Sequence, residues 1–534
     1  MVSLTTEKPY FSRATSGLVR EMSLTDAFLV NVWMGTPVYA YFVPLYLGVM
    51  PGAQPVLAVL LAVVLMVALA VVYAALTSSM PRSGGEYVFL SRIIHPAVGF
   101  AANFAQVAWT VFWVTFSSIA CTNMLGNLIG DFVSPTLGAT LVNMTNSSLT
   151  YVLATIVMIL AFLLVLLGIK AYTRFQLVAG ILATVGCLLI AGFFMTTDFR
   201  KQFDAYAAQY GTSYQGIIDK ATSSGSYTPY PGVNVWNTLA FMVTIVLIMM
   251  PYVNSYMAGE MKAAANFRRQ LLGMVLGGVC VSAFLSAAQI LAYINAAGFD
   301  FAASLSALSG TSQYPLPIPP YFYLFLAALG ANRAVVFIVD IAFLALVFLL
   351  VAINLLLISR CVFAWGMDLV FPKVFTNVDR RFHSPYVPII ATLVVANILT
   401  AASLLAGVNL YNYVAGSMLS IGVFYLVVAI GGAAFPFVKK AKYVYETSPA
   451  RLQLGPIPVI LVAGIVSAIL SALIIAVFFF APGYAGTFGL QTPYSLSFFI
   501  AIWVCSPIYF YIRRAYLNTK GIPIDAAFRE LPPV

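Results

Sequence analysis

Long apolar runs that carry no charge restrict most strongly what this chain can fold into. Residues 56–76 contain no Asp, Glu, Lys or Arg, and similar runs recur along the chain. About 20 apolar residues are enough to cross a bilayer as a helix. Only 8% of the 534 residues are charged, against roughly 25% in an ordinary soluble domain. The sequence therefore predicts an all-α membrane protein, since bare backbone polar groups cannot be left in lipid.

The apolar runs divide into twelve predicted transmembrane helices. Interruptions by charge, proline and glycine set their approximate limits. The predicted spans lie near 26–50, 54–77, 96–129, 150–169, 174–195, 234–259, 270–297, 333–362, 385–406, 411–435, 457–481 and 493–513.

The basic residues indicate the orientation of these spans. With twelve spans both termini lie on one side, and all but four of the 26 Lys and Arg residues fall on that side. The positive-inside rule then places both termini in the cytoplasm of a multi-pass protein of the cell membrane. The net charge of +10 is explained by topology and anionic lipid, so no nucleic-acid partner is expected. The four exceptions are Arg200, Lys201, Lys220 and Arg333.

Spans one to five and six to ten share a layout. The third span of each set is the longest, and the first span of each set contains a proline near its middle, in "NVWMGTPVYAYF" and "IMMPYVNSYMAGE". Each set has an odd number of helices, so the second set is inverted relative to the first. Interrupted helices at matching places in inverted halves indicate the central site of a transporter.

Three connecting segments resemble those of a known family. "SSMPRSGGEYVFLSRIIHPAVGF", "AGEMKAAANFRRQL" and "ISRCVFAWGMDLVFPKVFTNVDRRFHSPYVP" follow the second, sixth and eighth spans. They resemble, in this order, the P-x-S-G-G-x-Y…G-F, A-G-E-x-K-x-P and S-R…A-x-D-x-x-x-P…P segments of the amino acid–polyamine–organocation (APC) transporters. The first segment is then a cytoplasmic turn, in which Gly84 and Gly85 allow backbone angles that other residues resist. Its Glu86 is expected to pair with an Arg of a neighbouring loop.

The resemblance implies a fold of twelve helices with a 5+5 inverted repeat, discontinuous helices 1 and 6, and two extra helices. Three parts of the chain are expected from it. They are a cytoplasmic tail (1–22), a ten-helix transport core (23–435, in halves of about 23–197 and 234–435) and a part with helices 11–12 and the C-terminal tail (436–534).

The resemblance also implies that the unwound first and sixth spans bind the substrate. In the first span, Thr36-Pro37 is a suitable N-cap and first turn for a new half-helix, whose free N–H groups would face an anion. In the sixth, Asn254 and Ser255 would open the second half-helix, and Tyr252 would help to cover a ligand. The residues expected to bind substrate in the first span are Gly35, Thr36, Pro37, Val38 and Tyr39.

The third span carries polar residues on one helical face. Within a bilayer such a face points to the interior of the bundle, where it serves either substrate contact or helix–helix hydrogen bonding. Gln106, Thr110 and Trp113 are candidates for substrate contact. The face as a whole contains Asn103, Gln106, Thr110, Trp113 and Ser117.

Asp340 is the one acid that lies inside a predicted span and not at its first or last residue. An ionisable group in a membrane is a functional candidate, so we expect Asp340 and Asn354 to take part in coupling to H⁺ or Na⁺. The alternative is a hydrated acid near the outer mouth, or one paired with Arg333. Some APC members carry a lysine in span five, whereas this chain has no charge there, near Ala183.

These features predict a secondary active transporter that moves amino acids across the cell membrane by alternating access, with no cofactor. A polyamine or other organic-amine carrier or exchanger is the alternative. A membrane-embedded enzyme would need an intramembrane His, Cys or paired-acid constellation, and the sequence pattern offers none. We therefore do not expect an enzyme.

Overall fold

The computed structural model describes residues 12, 15–34, 40–229, 231–481 and 493–532. Within these residues the backbone is almost entirely helical, and the one sheet is a small antiparallel hairpin. The predicted all-α class is thus confirmed. The hairpin strands are Gln453–Leu454 and Ile457–Pro458.

Nine helices of the described residues are long and apolar enough to cross a membrane. Large apolar side chains such as Val178, Ile181 and Ile398 are exposed on their surfaces, as expected for helices that contact lipid. The nine helices are Pro55–Ser79, Pro96–Phe132, Ser147–Leu166, Ile169–Thr196, Phe267–Ala297, Arg333–Met367, Tyr386–Leu404, Val459–Phe480 and Pro493–Thr519.

A tenth apolar helix, Tyr411–Ala434, follows Leu404 after a short turn. Its main part, Met418–Ala434, is bent by 73° relative to the short helix Lys439–Glu446, and counting this pair as one span gives ten. The predicted number of twelve would also need the two segments 26–50 and 234–259 to cross the membrane.

Those two segments contain short helices instead of one long helix. The first begins with the helix Leu24–Trp33 and continues, after residues outside the described part, as the 3-10 helix Ala40–Tyr46. The second has the helix Val235–Val246 and the 3-10 helix Val253–Glu260. Ser23 and Asp26 form a capping box at the start of the first segment.

Short helices also occupy the connections, and two long helices contain π-helical turns, Gly273–Val281 and Ala501–Cys505. The predicted Gly84-Gly85 turn leads directly into one of these short helices, Glu86–Ile93. The others are Pro135–Val142, Phe199–Ala207, Ala208–Tyr210, Tyr214–Ser223, Phe299–Leu308, Phe322–Leu324, Phe325–Ala328, Lys373–Thr376, Lys439–Ala441, Lys442–Glu446 and Ile524–Ala527.

The two longest helices, Pro96–Phe132 and Arg333–Met367, have 37 and 35 residues and pack against each other. Near one end, Trp365 Nε1 donates a hydrogen bond of 2.7 Å to Asn103 Oδ1. We call this the basic end, formed by connections 80–95, 261–266, 368–385 and 520–532. The opposite end of the same helices, which we call the loop-rich end, is formed by connections 198–229 and 298–332.

Candidate functional site

The helix in the sixth predicted span stops at Val246, and the chain becomes helical again only at Val253. The backbone N–H of Asn254 donates to Asn31 Oδ1 at 3.1 Å. Asn31 is fully buried and lies on Leu24–Trp33, in the first predicted span. A side chain of one interrupted segment therefore caps the backbone of the other.

Glycine on the neighbouring helix allows close contact with this break. A Cβ on Gly278 would lie only 2.3 Å from Pro251 Cα, so any larger residue there would displace the backbone of the break. On the other side, Asn254 Nδ2 donates to Gln270 Oε1 at 2.8 Å. The interrupted backbone is thus held by the Phe267–Ala297 helix as well as by Asn31.

Two polar atoms at the break are buried without a hydrogen-bond partner among the described residues, namely Asn254 Oδ1 and Ser255 Oγ. Tyr252 is buried beside them. Its ring stacks on Tyr73 with a centroid distance of 4.8 Å, and its hydroxyl is 2.9 Å from the hydroxyl of Tyr425. Unpartnered polar atoms in a buried break are available to a bound ligand.

The five substrate-binding residues predicted in the first span, namely Gly35, Thr36, Pro37, Val38 and Tyr39, lie outside the described residues. Their role stays a prediction. The described chain resumes at Ala40, which is fully buried.

The polar face of the third predicted span is satisfied largely within the bundle. Gln106 Nε2 donates to Thr110 Oγ1 at 3.2 Å, and Thr110 Oγ1 donates to the Gln106 carbonyl oxygen at 2.7 Å. Gln106 Oε1 is buried and has no partner among the described residues. Trp113 packs edge-on against Trp109 at 5.2 Å. Gln106 thus keeps a buried acceptor that is available to a ligand.

The basic end brings the three motif segments together. The N–H of Gly84 donates to the Tyr256 carbonyl oxygen at 3.0 Å, which joins the first segment to the 3-10 helix that leads into the second segment. Gly84 and Gly85 have φ angles of +112° and +56°, so the predicted need for glycine in this turn is confirmed. A Cβ on Gly85 would lie 2.6 Å from the Tyr256 ring.

Two buried ion pairs fasten the same end. Arg360 contacts Glu260 through Nε and Nη2, at 2.7 and 2.9 Å. Arg92 contacts Asp368 through Nη1 and Nη2, also at 2.7 and 2.9 Å. Each pair joins motif segments from distant parts of the chain, and all four side chains are buried.

The expected pairing of Glu86 with an arginine is wrong. Asn103 Nδ2 donates to Glu86 Oε1 at 2.6 Å, and the Tyr73 hydroxyl donates to Oε2 at 3.3 Å. Arg92 and Arg360, which lie in the motif segments, are each bound to another acid.

A cavity of about 490 Å³ lies at the loop-rich end. Asp340 is buried but lines this cavity, and its Oδ2 has no hydrogen-bond partner among the described residues. Asp131 lines the same cavity, and its carboxyl lies beside that of Asp340. Arg333 donates instead to the Asp131 carbonyl oxygen, at 3.3 Å. The cavity is also lined by Asn127, Tyr206, Tyr210 and Tyr323.

Asp340 and Asn354 do not form one ion site. They lie on the same helix, Arg333–Met367, and a separation of fourteen residues corresponds to about 21 Å along a helix. Asn354 is almost fully buried, and its Oδ1 has no partner among the described residues. Any role in ion coupling would therefore be played by each residue separately.

A family model described as Amino acid permease matches residues 24–505. The chain belongs to this family. Membership implies a multi-pass membrane transporter of amino acids or related organic compounds rather than an enzyme, and it confirms the resemblance carried by the three motifs. A comparison with curated proteins finds no match.

The structure of this permease also places residues at the site that sequence reasoning missed. Asn31, Tyr73 and Tyr425 contact the break or the side chain of Tyr252, and Asp131 faces Asp340. A polar residue inside an apolar run, as in "LVNVW" around Asn31, is the one signal that could have identified the first of them. The tyrosines and Asp131 carry no comparable signal in the sequence.

Proposed function

We propose that this permease is a secondary active transporter that moves amino acids across the cell membrane by alternating access. The observation that carries the proposal is the hydrogen bond from the Asn254 N–H to Asn31. It joins two interrupted helical segments in the interior of a helical membrane protein. Interrupted backbone at membrane depth is tolerated where it is buried in protein or lines a cavity, and transporters bind their ligands at such breaks.

The substrate would lie against the two breaks. In this arrangement Asn254 Oδ1 accepts a hydrogen bond from the substrate ammonium, and Ser255 Oγ donates one to its carboxylate, because both atoms are buried and unpartnered. The N–H groups after Thr36-Pro37 would bind the carboxylate from the first span, and Tyr39 and Tyr252 would cover the ligand. Gln106, Thr110 and Trp113 would line the wall on the Pro96–Phe132 helix.

Alternating access would require the basic end to open. The ion pairs Arg360–Glu260 and Arg92–Asp368 close that end in the present structure, whereas a cavity lies at the loop-rich end. Opening must separate at least one buried pair or move its segments as a unit. The intact ion pairs thus hold the basic end closed, and substrate binding helps to separate them.

The orientation and the division of the chain are part of the proposal. We take the basic end as cytoplasmic, because positively charged connections remain there during insertion. The interrupted segments complete twelve spans, with an inverted repeat of about 23–197 and 234–435 and two further helices in 436–534.

A second candidate function is transport of polyamines or other organic amines. The cavity at the loop-rich end supports it, because Asp131 and Asp340 face each other there beside Tyr206, Tyr210 and Tyr323. Carboxylates and aromatic rings are the groups that bind organic ammonium ions. Asp340 in this role would contact the ammonium of an entering substrate.

Counterflow in proteoliposomes tests the proposed function. Vesicles that contain the purified permease and an excess of one unlabelled compound are mixed with the same compound in radiolabelled form. We expect labelled α-amino acids to accumulate transiently, and Asn254→Leu to abolish this accumulation. Asn397→Leu, which removes an amide from a lateral helix, is the matched control. Counterflow of amines alone would favour the second candidate, and counterflow of neither class would refute both.

A further inference from the structure

Glu86 is a buried acid at the basic end that has no role in the function proposed above. Its side chain is fully buried, and it begins the short helix Glu86–Ile93, which lies outside the candidate membrane spans. Asn103 Nδ2 and the Tyr73 hydroxyl donate to its two carboxylate oxygens. The groups that stabilise the carboxylate are therefore neutral.

No ion pair among the described residues includes Glu86, although two buried pairs lie in the three motif segments. The titratable groups that face it come from three other elements and are hydroxyls or a thiol, which are uncharged near neutral pH. They are Tyr73, Tyr252, Tyr256 and Cys361, with Tyr425 behind Tyr252. A buried carboxylate without a cation takes up a proton readily. In agreement, burial raises the pKa of Glu86 to about 7.

The surroundings of Glu86 are connected to the break in the sixth segment. Tyr73 donates to Glu86 Oε2 and stacks on Tyr252, which directly precedes the 3-10 helix Val253–Glu260. The Gly84-Gly85 turn before Glu86 contacts Tyr256 of the same 3-10 helix. A change of charge on Glu86 therefore acts on the residues that hold the break.

We propose that Glu86 is the proton-binding site through which this permease couples transport to a proton gradient. The proposal rests on the proposed function and names its coupling ion. A hydronium ion gives its proton to Glu86 Oε2 and becomes water, and the Tyr73 hydroxyl then accepts a hydrogen bond from the carboxylic acid where it donated one to the carboxylate. When the basic end opens, water reaches Glu86 and the proton leaves to that side. No other bond forms or breaks.

Reconstituted vesicles test the proposal with two measurements on each variant. Counterflow reports substrate exchange without a gradient, and accumulation under an imposed inward proton gradient reports coupling. We expect Glu86→Gln, which mimics the protonated acid, to exchange substrate but to lose accumulation above the equilibrium level. Entry of protons with substrate, followed by a pH-sensitive dye inside the vesicles, should be lost as well. Glu446→Gln removes an exposed carboxylate at the same end and should retain both activities.

The outcomes distinguish failure of the proton site from failure of the proposed transport function. Gradient-driven accumulation by Glu86→Gln would overturn the proton site. It would also be overturned if the wild-type protein showed counterflow but no accumulation under a proton gradient. Absence of counterflow in the wild type for every amino acid and amine would refute the proposed function itself. If Glu86→Gln does not fold, Tyr73→Phe replaces it. Loss of that donor to the carboxylate should shift the pH midpoint of accumulation upward, and an unchanged midpoint would overturn the proposal.

Discussion

Glu260 and Arg360 lie 100 residues apart in the chain and meet in a two-point ion pair, with Nε 2.7 Å from Oε1 and Nη2 2.9 Å from Oε2. Both side chains are almost completely removed from solvent. The guanidinium and the carboxylate match in geometry, which favours arginine over lysine at such a contact. The pair joins the 3-10 helix after the break to the Arg333–Met367 helix, so it fixes the basic end.

Removal of one partner of this ion pair should therefore destabilise the protein more than removal of both. Glu260→Gln leaves a buried guanidinium without its anion, which destabilises a protein by about 3–5 kcal/mol. The double variant Glu260→Gln/Arg360→Met removes both charges and should recover part of this loss. Thermal unfolding of the detergent-purified proteins measures the difference. Glu446→Gln at the exposed Lys442 pair is the control, expected within about 1 kcal/mol of wild type. A double variant less stable than the single one would contradict the argument.

The contact between the interrupted segments predicts a loss of affinity in Asn31→Ala. The variant removes the acceptor for the Asn254 N–H, and an unmet buried donor costs about 1–3 kcal/mol. We expect a higher substrate concentration at half-maximal counterflow, because the break loses its shape. Asn397→Ala, which breaks hydrogen bonds to Tyr151 and Thr155 on the Ser147–Leu166 helix, should lower stability without changing the substrate concentration at half-maximal counterflow. Equal half-saturation in Asn31→Ala and wild type would show that this cap does not support the site.

The acid pair at the loop-rich end predicts which substrates depend on it. Asp340→Asn keeps the shape of the side chain and removes a carboxylate that faces the cavity. Transport of compounds with an additional amine should weaken far more than transport of neutral amino acids, because a desolvated ammonium would lose its counter-charge. Inhibition of labelled uptake by a graded series of mono- and diamines provides the measurement. Uniform effects across the series would assign Asp340 to another role.

Glu86 predicts a pH dependence of stability. Its pKa is raised by burial from an ordinary value of 4.5 to about 7, so the folded state holds a proton that the unfolded state has released between these values. The associated stability is fully present below about pH 4.5 and is lost as the pH rises through about 7. Melting temperatures of wild type and Glu86→Gln, measured across this window, should diverge, with the wild type falling more steeply. Parallel curves would mean that Glu86 does not titrate there.

The proposed orientation predicts the side from which two engineered cysteines react. Gln215 and Asn377 are exposed and lie in connections at the loop-rich and basic ends. With the exposed Cys280 and Cys505 replaced, Gln215→Cys should react with an impermeant maleimide on intact cells. Asn377→Cys should react only after the membrane is opened. Reaction of both cysteines from outside would contradict the arrangement in which the basic end is cytoplasmic.

Much of the fold follows from local pattern. Uncharged apolar runs identify the membrane helices, and Pro251 with the polar residues after it marks the place where a helix cannot continue. The positive φ angles of Gly84 and Gly85 were also predictable, because a tight turn needs glycine. These features depend on short stretches of chain, whose behaviour in lipid is set by the cost of unpaired backbone groups.

The partners of the buried polar groups were decided only by the tertiary structure. Glu86 was expected to bind an arginine and instead meets Asn103 and Tyr73, because the nearby arginines bind Glu260 and Asp368. Likewise, helical spacing placed Asp340 within a span but could not show that Asp131 faces it. A sequence shows which buried polar groups need a partner. Which partner each group contacts depends on how helices that are distant in the chain pack together.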